Sequence, residues 1–152
     1  EVLNQGENNR ALFIPFDNDC WIRYQSHPLT FTELTSYEVT AKFNNDDREA
    51  MVIGSVEHDS WKTGITKGKG NIYNVGSLYV IGGVADKTTR DSKPHGALKG
   101  TTIKSPKILV GFFEDWREGM EEYAQANAVI APPKAWDKAV PFGWNSLGSV
   151  AI

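Results

Sequence analysis

The most constraining feature of this sequence is a seven-residue stretch in which apolar and polar side chains alternate. The apolar members are Tyr37, Val39, Ala41 and Phe43, and the polar members between them are Glu38, Thr40 and Lys42. Successive side chains of a β-strand point to opposite faces, so this pattern predicts a strand with one buried and one solvated face. Residues 44–47, which follow, are all Asn or Asp, and this is typical of a turn.

The segment after this turn is predicted to complete a hairpin. Residues 50–56 read Ala-Met-Val-Ile-Gly-Ser-Val and are apolar on both faces. A strand that is apolar on both faces is expected in the interior of a sheet. Two such strands joined by a short turn are expected to pair in antiparallel.

Further strands are predicted along the rest of the chain. Residues 11–16 and 20–24 are expected to form a hairpin, with Pro15 confining its first strand to an edge or a bulge. The other predicted strands lie in 71–85, 98–103 and 107–113. Residues 64–70 read Gly-Ile-Thr-Lys-Gly-Lys-Gly and are predicted to form a flexible loop, which lacks the spacing of a phosphate-binding P-loop.

One helix is predicted, over residues 115–127. Asp115 is placed to cap it, and Glu118 follows three residues later. One helix face carries Trp116, Met120, Tyr123, Ala124 and Asn127. Gly119 is expected to weaken the helix by about 1 kcal/mol relative to alanine. The predicted fold is therefore mostly β, an antiparallel β-sandwich with one C-terminal helix.

The composition fits one globular domain and argues against several functions. With 152 residues and 40% hydrophobic content, the chain can bury a core. Its net charge of −3 argues against a nucleic-acid-binding protein, and no apolar run reaches the roughly 18 residues of a membrane span. Cys20 is the only cysteine, so an internal disulfide and a cysteine-based zinc site are both excluded. No cofactor-binding motif is present, and no cofactor is expected.

Residues 57–63 hold a dense group of candidate binding side chains. The segment reads Glu-His-Asp-Ser-Trp-Lys-Thr. A sugar site combines polar groups for the hydroxyls with an aromatic ring for the C–H face. His58, Asp59 and Trp61 are therefore candidate carbohydrate-binding residues. The alternative is a corner between strands, with Trp61 packed into the core.

The polar loop 86–96 adds Arg90 and His95 to the candidate binding residues. Exposed loops on a β scaffold commonly carry binding groups. The alternative is that Arg90 and its neighbour Asp91 are only solvated charges.

Asp17 and Asp19 allow two interpretations. With Asn18 they form a run that favours a turn. Calcium binding is the alternative, although the full pattern of a calcium loop is missing. No metal site is predicted.

Residues 141–148 carry a family resemblance. They read Pro-Phe-Gly-Trp-Asn-Ser-Leu-Gly. This resembles the Pro-x-Gly-Trp-Asn-Ser-Trp signature that opens the catalytic barrel of α-galactosidase-type glycoside hydrolases (the clan of families 27 and 36), with Leu147 where the signature has its second Trp. A β-rich region, a helix and a connector containing Pro132 and Pro133 come first, in an order similar to the sandwich, linker and barrel of family 36.

The resemblance implies a domain organisation. Residues 1–131 would be a β-sandwich of the galactose-mutarotase-like supersandwich type. Residues 132–152 would be a linker and the start of a barrel that continues beyond this chain. Trp144 and Asn145 would then lie at the first barrel strand as candidate carbohydrate-binding residues, and the catalytic carboxylates would come from later barrel strands. No residue of this chain is therefore assigned as catalytic.

The function that follows from the resemblance is that of a non-catalytic N-terminal domain. The parent hydrolase would act on α-linked glycans such as α-galactosides, in the bacterial periplasm or outside the cell. The partners would be carbohydrate and the C-terminal catalytic barrel of the same parent chain. A stand-alone carbohydrate-binding or adhesion module is the alternative. An intact small enzyme is a third hypothesis, against which the lack of a nucleophile motif or metal cluster argues.

Overall fold

Over the residues that the structure describes, the protein is mostly β, with two antiparallel sheets in an open, sandwich-like arrangement and one helix that follows the strands. The computed structural model describes residues 7–16, 24–30, 33–68, 76–84 and 96–140. Within them the elements are β1 (Asn9–Phe13), β2 (Gln25–Pro28), β3 (Leu34–Tyr37), β4 (Val39–Asn44), β5 (Ala50–Ser55), β6 (Thr63–Lys67), β7 (Leu78–Gly82), β8 (Ile108–Phe113) and α1 (Trp116–Ile130). The strand order is β2-β1-β4-β5-β8 in one sheet and β3-β6-β7 in the other.

The predicted central hairpin is confirmed by β4 and β5. The two strands pair in antiparallel from Val39 opposite Gly54 to Phe43 opposite Ala50. Asn44 organises the turn, because its side-chain Oδ1 accepts a hydrogen bond from the backbone N–H of Asp46 at 2.7 Å. β5 lies between β4 and β8, in the interior position that its apolar sequence predicts.

The prediction of one continuous strand over residues 37–43 is wrong, because Glu38 divides it between the two sheets. Glu38 has a φ of 60°, a left-handed conformation that interrupts the extended chain. Its N–H donates to the Thr63 carbonyl at 2.9 Å, and its carbonyl accepts from the Ser55 N–H at 2.8 Å. One residue therefore bonds to a strand end of each sheet. Thr40, predicted to face solvent, is buried and donates its hydroxyl to the Leu12 carbonyl at 2.7 Å.

The prediction of a flexible loop at residues 64–70 is also wrong where the structure describes it. β6 is fully buried and lies between β3 and β7. Its glycine has a packing role, since an ideal Cβ on Gly64 would lie 2.8 Å from a methyl carbon of Val84. The hydrogen bonds that make this segment a strand come from β3 and β7 on either side, and the composition of the segment itself does not predict them.

The predicted N-terminal hairpin lies only partly within the described residues. β1 begins at Asn9 rather than at residue 11 and pairs with β2 (Gln25–Pro28), and most of the second predicted strand, residues 20–23, lies outside the described residues. β1 also pairs with β4, so it is an interior strand. The prediction that Pro15 confines this strand to an edge or a bulge is wrong, because the strand ends at Phe13, before the proline. Residues 17–23, including the Asp17 and Asp19 turn, lie outside the described residues.

The three predicted strand segments between β6 and the helix have different outcomes. The strand predicted at 107–113 is confirmed as β8, and β7 lies within the predicted run 71–85. The strand predicted at 98–103 is wrong, because these residues form an exposed segment without strand structure. Leu98 and Ile103 are about half exposed, so the apolar side chains that suggested a strand have no buried face here.

Helix α1 covers one face of the larger sheet. The predicted cap is confirmed, since an Oδ1 of Asp115 accepts the backbone N–H of Arg117 at 2.9 Å. The helix runs three residues beyond the predicted end at Asn127, to Ile130, and the prolines at 132 and 133 follow. Tyr123 shares a buried cluster with four aliphatic residues, Val39, Ala41, Val52 and Val56.

Strongly alkaline pH should destabilise the fold through Tyr123. Burial raises the pKa of Tyr123 to about 12, with a smaller contribution from Glu38. Below pH 10 the phenol is protonated in both the folded and the unfolded chain, so the folded state keeps the full stability that the protonated phenol provides. Between about pH 10 and 12 only the unfolded chain loses this proton, which should lower the free energy of unfolding by up to roughly 2 kcal/mol.

Urea unfolding of the Tyr123→Phe variant across this pH range is the control for that prediction. The variant lacks the titrating hydroxyl, so it should lose less stability than the parent above pH 10. An equal alkaline loss in both proteins would assign the effect to other groups.

Candidate functional site

The candidate site is a groove between the segment that leaves β5 and the loop that enters β8. Its volume is about 290 Å³. One wall is formed by Asp59, Ser60 and Trp61, and the other includes Lys99, Thr102 and Lys104. Part of the predicted 57–63 cluster therefore lies in a concave surface.

The two walls are held together by bonds between Glu57 and Lys107. The Lys107 N–H donates to one carboxylate oxygen of Glu57 at 3.1 Å, and Lys107 Nζ lies 3.0 Å from the other. The Val56 N–H donates to the Lys107 carbonyl at 3.0 Å, so the β5–β8 pairing continues into the base of the groove. The hydrogen bond from the Lys107 side chain is the main cause that lowers the pKa of Glu57, which keeps the carboxylate charged.

Trp61 is held in place from two directions. Its indole Nε1 donates to the Lys104 carbonyl at 2.8 Å, which joins one wall of the groove to the other. The ring also lies against the backbone of β7, since an ideal Cβ on Gly82 would be 3.3 Å from the indole Cδ2. Trp61 is half-buried, so it is both packed against β7 and part of the groove wall.

The polar groups of the groove suit a hydroxyl-rich ligand. The carboxylate of Asp59 accepts hydrogen bonds, the ammonium groups of Lys99 and Lys104 donate them, and the hydroxyls of Ser60 and Thr102 do both. Asp59, Ser60, Lys99, Thr102 and Lys104 are all exposed. Together with the Trp61 indole they give the groove an aromatic surface with polar groups around it.

His58 points away from the groove and belongs to a network that joins the sheets to the helix. Its Nδ1 lies 3.0 Å from a carboxylate oxygen of Glu38, and its Nε2 lies 2.5 Å from Asn127 Oδ1. The Asn127 amide donates to the Tyr123 carbonyl at 2.9 Å, which leaves Oδ1 as the acceptor for His58. Both contacts are hydrogen bonds only when both ring nitrogens carry protons. His58 therefore couples the Glu38 bend to α1.

The seven predicted carbohydrate-binding residues are not all brought together. Asp59 and Trp61 line the groove, and His58 contacts Glu38 and α1 instead. The other four, Arg90, His95, Trp144 and Asn145, lie outside the described residues.

The second wall of the groove is absent from the sequence prediction. Lys99, Thr102 and Lys104 fall in or beside the segment predicted as a strand. The run Lys99-Gly100-Thr101-Thr102 is polar and contains glycine, which is a loop signal that competes with the apolar Leu98 and Ile103.

The described residues lack two kinds of functional feature. No group of three or more His, Cys, Asp or Glu side chains there is arranged to hold a metal ion. No described helix has the length and apolar character needed to cross a membrane.

Comparison of the chain with protein-family models, with curated proteins and with solved structures finds no match in any of the three.

Proposed function

We propose that this chain is a non-catalytic β domain that binds carbohydrate in the groove at Trp61. The observation that carries the proposal is the position of the indole, which is fixed by Lys104 and β7 and lines a groove with exposed polar groups. An aromatic ring held at the wall of a polar groove suits the C–H face of a sugar ring.

The polar groups support the same ligand class. Sugar hydroxyls both donate and accept hydrogen bonds, so they complement the Asp59 carboxylate on one wall and the Lys99 and Lys104 ammonium groups on the other. The volume of about 290 Å³ is near the lower end for small-molecule clefts and suits a short glycan rather than a long buried chain.

The motif at residues 141–148 supports a specific context for this binding. Its resemblance to the barrel signature favours an accessory domain that precedes the barrel of an α-galactosidase-like hydrolase, in the periplasm or outside the cell. In that context the groove would hold part of an α-linked glycan while the barrel supplies both catalytic carboxylates. The galactose-mutarotase-like sandwich type belongs to the same proposal.

Trp61→Ala should weaken glycan binding by about fivefold or more, because the C–H face of the sugar loses its stacking contact with the indole, and contacts of aromatic rings are worth about 1 kcal/mol. Isothermal titration of the purified chain with α-galactosyl oligosaccharides and with matched α-glucosyl oligosaccharides measures the effect. Trp61→Phe is the control, because it keeps a flat ring while it removes the hydrogen bond to Lys104. Binding that is equal in the parent chain and in Trp61→Ala would overturn the assignment of the groove.

The context has a separate test. The stand-alone module is favoured by two results together: this chain alone binds carbohydrate, and a longer protein that contains it shows no sugar-hydrolase activity. A lower kcat/KM of the longer protein on α-galactosides after Trp61→Ala would favour the accessory domain.

A further inference from the structure

We infer that the outer edge of β8 binds an extended, basic peptide as an additional strand of the larger sheet. This surface is separate from the Trp61 groove and the inference is independent of carbohydrate binding. It rests on three features of β8 and α1: an open strand edge, exposed apolar residues on one side of that edge, and acidic residues on the other.

The first feature is the outer edge of β8 itself. Within the described residues β8 is the last strand of its sheet and pairs only with β5. The Val56 N–H donates to the Lys107 carbonyl, and hydrogen-bonded pairs alternate along an antiparallel ladder. The backbone groups of Leu109, Gly111 and Phe113 therefore point to β5, and those of Ile108, Val110 and Phe112 point to the open edge. An edge of this kind is a template for another strand.

The face of β8 opposite the helix is exposed and apolar. Val110 and Phe112 are 56% and 57% exposed, although both are large hydrophobic residues. An added strand would place alternate side chains beside them, and apolar residues at those positions would be shielded from water.

The helix side of the same edge is acidic. Leu109, Gly111 and Phe113 form the floor of a groove of about 470 Å³. Its rim carries three exposed glutamates of α1, Glu118, Glu121 and Glu122. Arg117 interacts electrostatically with two of them, but its guanidinium is hydrogen-bonded to Asp115. The rim is therefore negative overall, and it favours lysine or arginine at the positions of the added strand that face the helix.

A second copy of this chain is a weaker candidate for the same edge. Antiparallel pairing of β8 with β8 would bring the acidic rims of both copies to one interface, and like charges placed opposite each other are destabilising. A peptide that alternates basic with apolar residues instead matches both sides of the edge.

The probe is an acetylated and amidated peptide of about eight residues, the length of an ordinary strand, in which lysine alternates with valine or threonine. Binding is measured by fluorescence anisotropy at low and high salt. One control peptide has the same composition in scrambled order. A second control is N-methylated at every other residue, which removes the donors that an added strand needs. We expect binding of the alternating peptide that weakens with salt, and no binding of the N-methylated peptide.

Val110→Pro is the decisive variant. The Val110 N–H points to the open edge, so proline removes a donor from the edge and leaves the hydrogen bonds to β5 in place. We expect Val110→Pro to abolish peptide binding, whereas Val110→Thr, which keeps the N–H, should retain it. Thermal unfolding checks that both variants are folded, and the N-methylated peptide tests the same contact with the unaltered protein. Changing all three rim glutamates to glutamine should weaken binding by roughly tenfold.

Three results would overturn the proposal. The first is the absence of binding by the alternating peptide. The second is equal binding by the scrambled or N-methylated peptide. That result would mean that the peptide lysines are attracted to the glutamates of α1 without the peptide pairing with β8 as a strand. The third is a dimer in sedimentation analysis that Val110→Pro dissociates, which would identify a second copy as the occupant of the edge.

Discussion

Replacing Tyr123 by alanine should lower the free energy of unfolding by about 3–5 kcal/mol, as expected for removal of a large buried aromatic side chain. Tyr123 is only 9% exposed, and its ring packs between α1 and the sheet against Val39, Ala41 and Val52. Its hydroxyl donates to the Ser55 carbonyl at 2.8 Å, so one side chain supplies both packing and a buried hydrogen bond between α1 and β5.

Tyr123→Phe separates these two contributions. It keeps the ring and removes the hydroxyl, which leaves the Ser55 carbonyl without that donor and should cost about 1–2 kcal/mol. Urea unfolding followed by tryptophan fluorescence measures both variants. If Tyr123→Phe costs as much as Tyr123→Ala, the hydrogen bond rather than the packing holds the helix on the sheet.

Replacing Gly54 by valine should destabilise the protein by about 3 kcal/mol, at the upper end of the usual cost of overpacking. Glycine in a strand interior is normally unfavourable, so a substitution there would be expected to stabilise. Here an ideal Cβ on Gly54 would lie 2.5 Å from Tyr123 Cε2 and 2.9 Å from Val39 Cγ2. A valine would force the Tyr123 ring and α1 away from the sheet.

The double variant Gly54→Val with Tyr123→Ala tests whether the two positions share one space. The valine methyl groups would enter the volume that the tyrosine ring vacates. The double variant should therefore be more stable than the sum of the two single losses predicts, by about 1 kcal/mol or more. Strict additivity would show that Gly54 is constrained by Val39, the other side chain that its Cβ would meet, rather than by the Tyr123 ring.

The helix glycine shows how tertiary packing reverses a local expectation. From helix propensity, Gly119 is expected only to weaken α1. In the structure its ideal Cβ would lie 2.7 Å from Phe113 Cδ2 and 2.8 Å from Val52 Cγ2. The small residue allows close contact between α1 and the sheet. Val52 is distant from Gly119 in the sequence, and Phe113, although close in the sequence, belongs to strand β8, so the helix pattern alone does not show either contact.

The candidate site could be predicted only in part. Residues 57–63 stood out because acid, imidazole, hydroxyl and indole groups are concentrated there, and the structure places Asp59 and Trp61 in one groove. The separation of His58 from that groove depends on Glu38 and Asn127, which are distant in sequence. The opposite wall, with Lys99 and Lys104, depends on a loop whose apolar residues predicted a strand.

The elements that local pattern determines are the β4–β5 hairpin, the turn at Asn44, strand β8 and the Asp115-capped helix. In each of them the apolar period, the turn residues or the cap is contained within a short segment, so the sequence by itself was sufficient. Tertiary structure decided the bend at Glu38, the burial of β6 and the groove at Trp61. Each of these depends on hydrogen bonds or packing supplied by strands and loops that are distant along the chain, and no local pattern records those contacts.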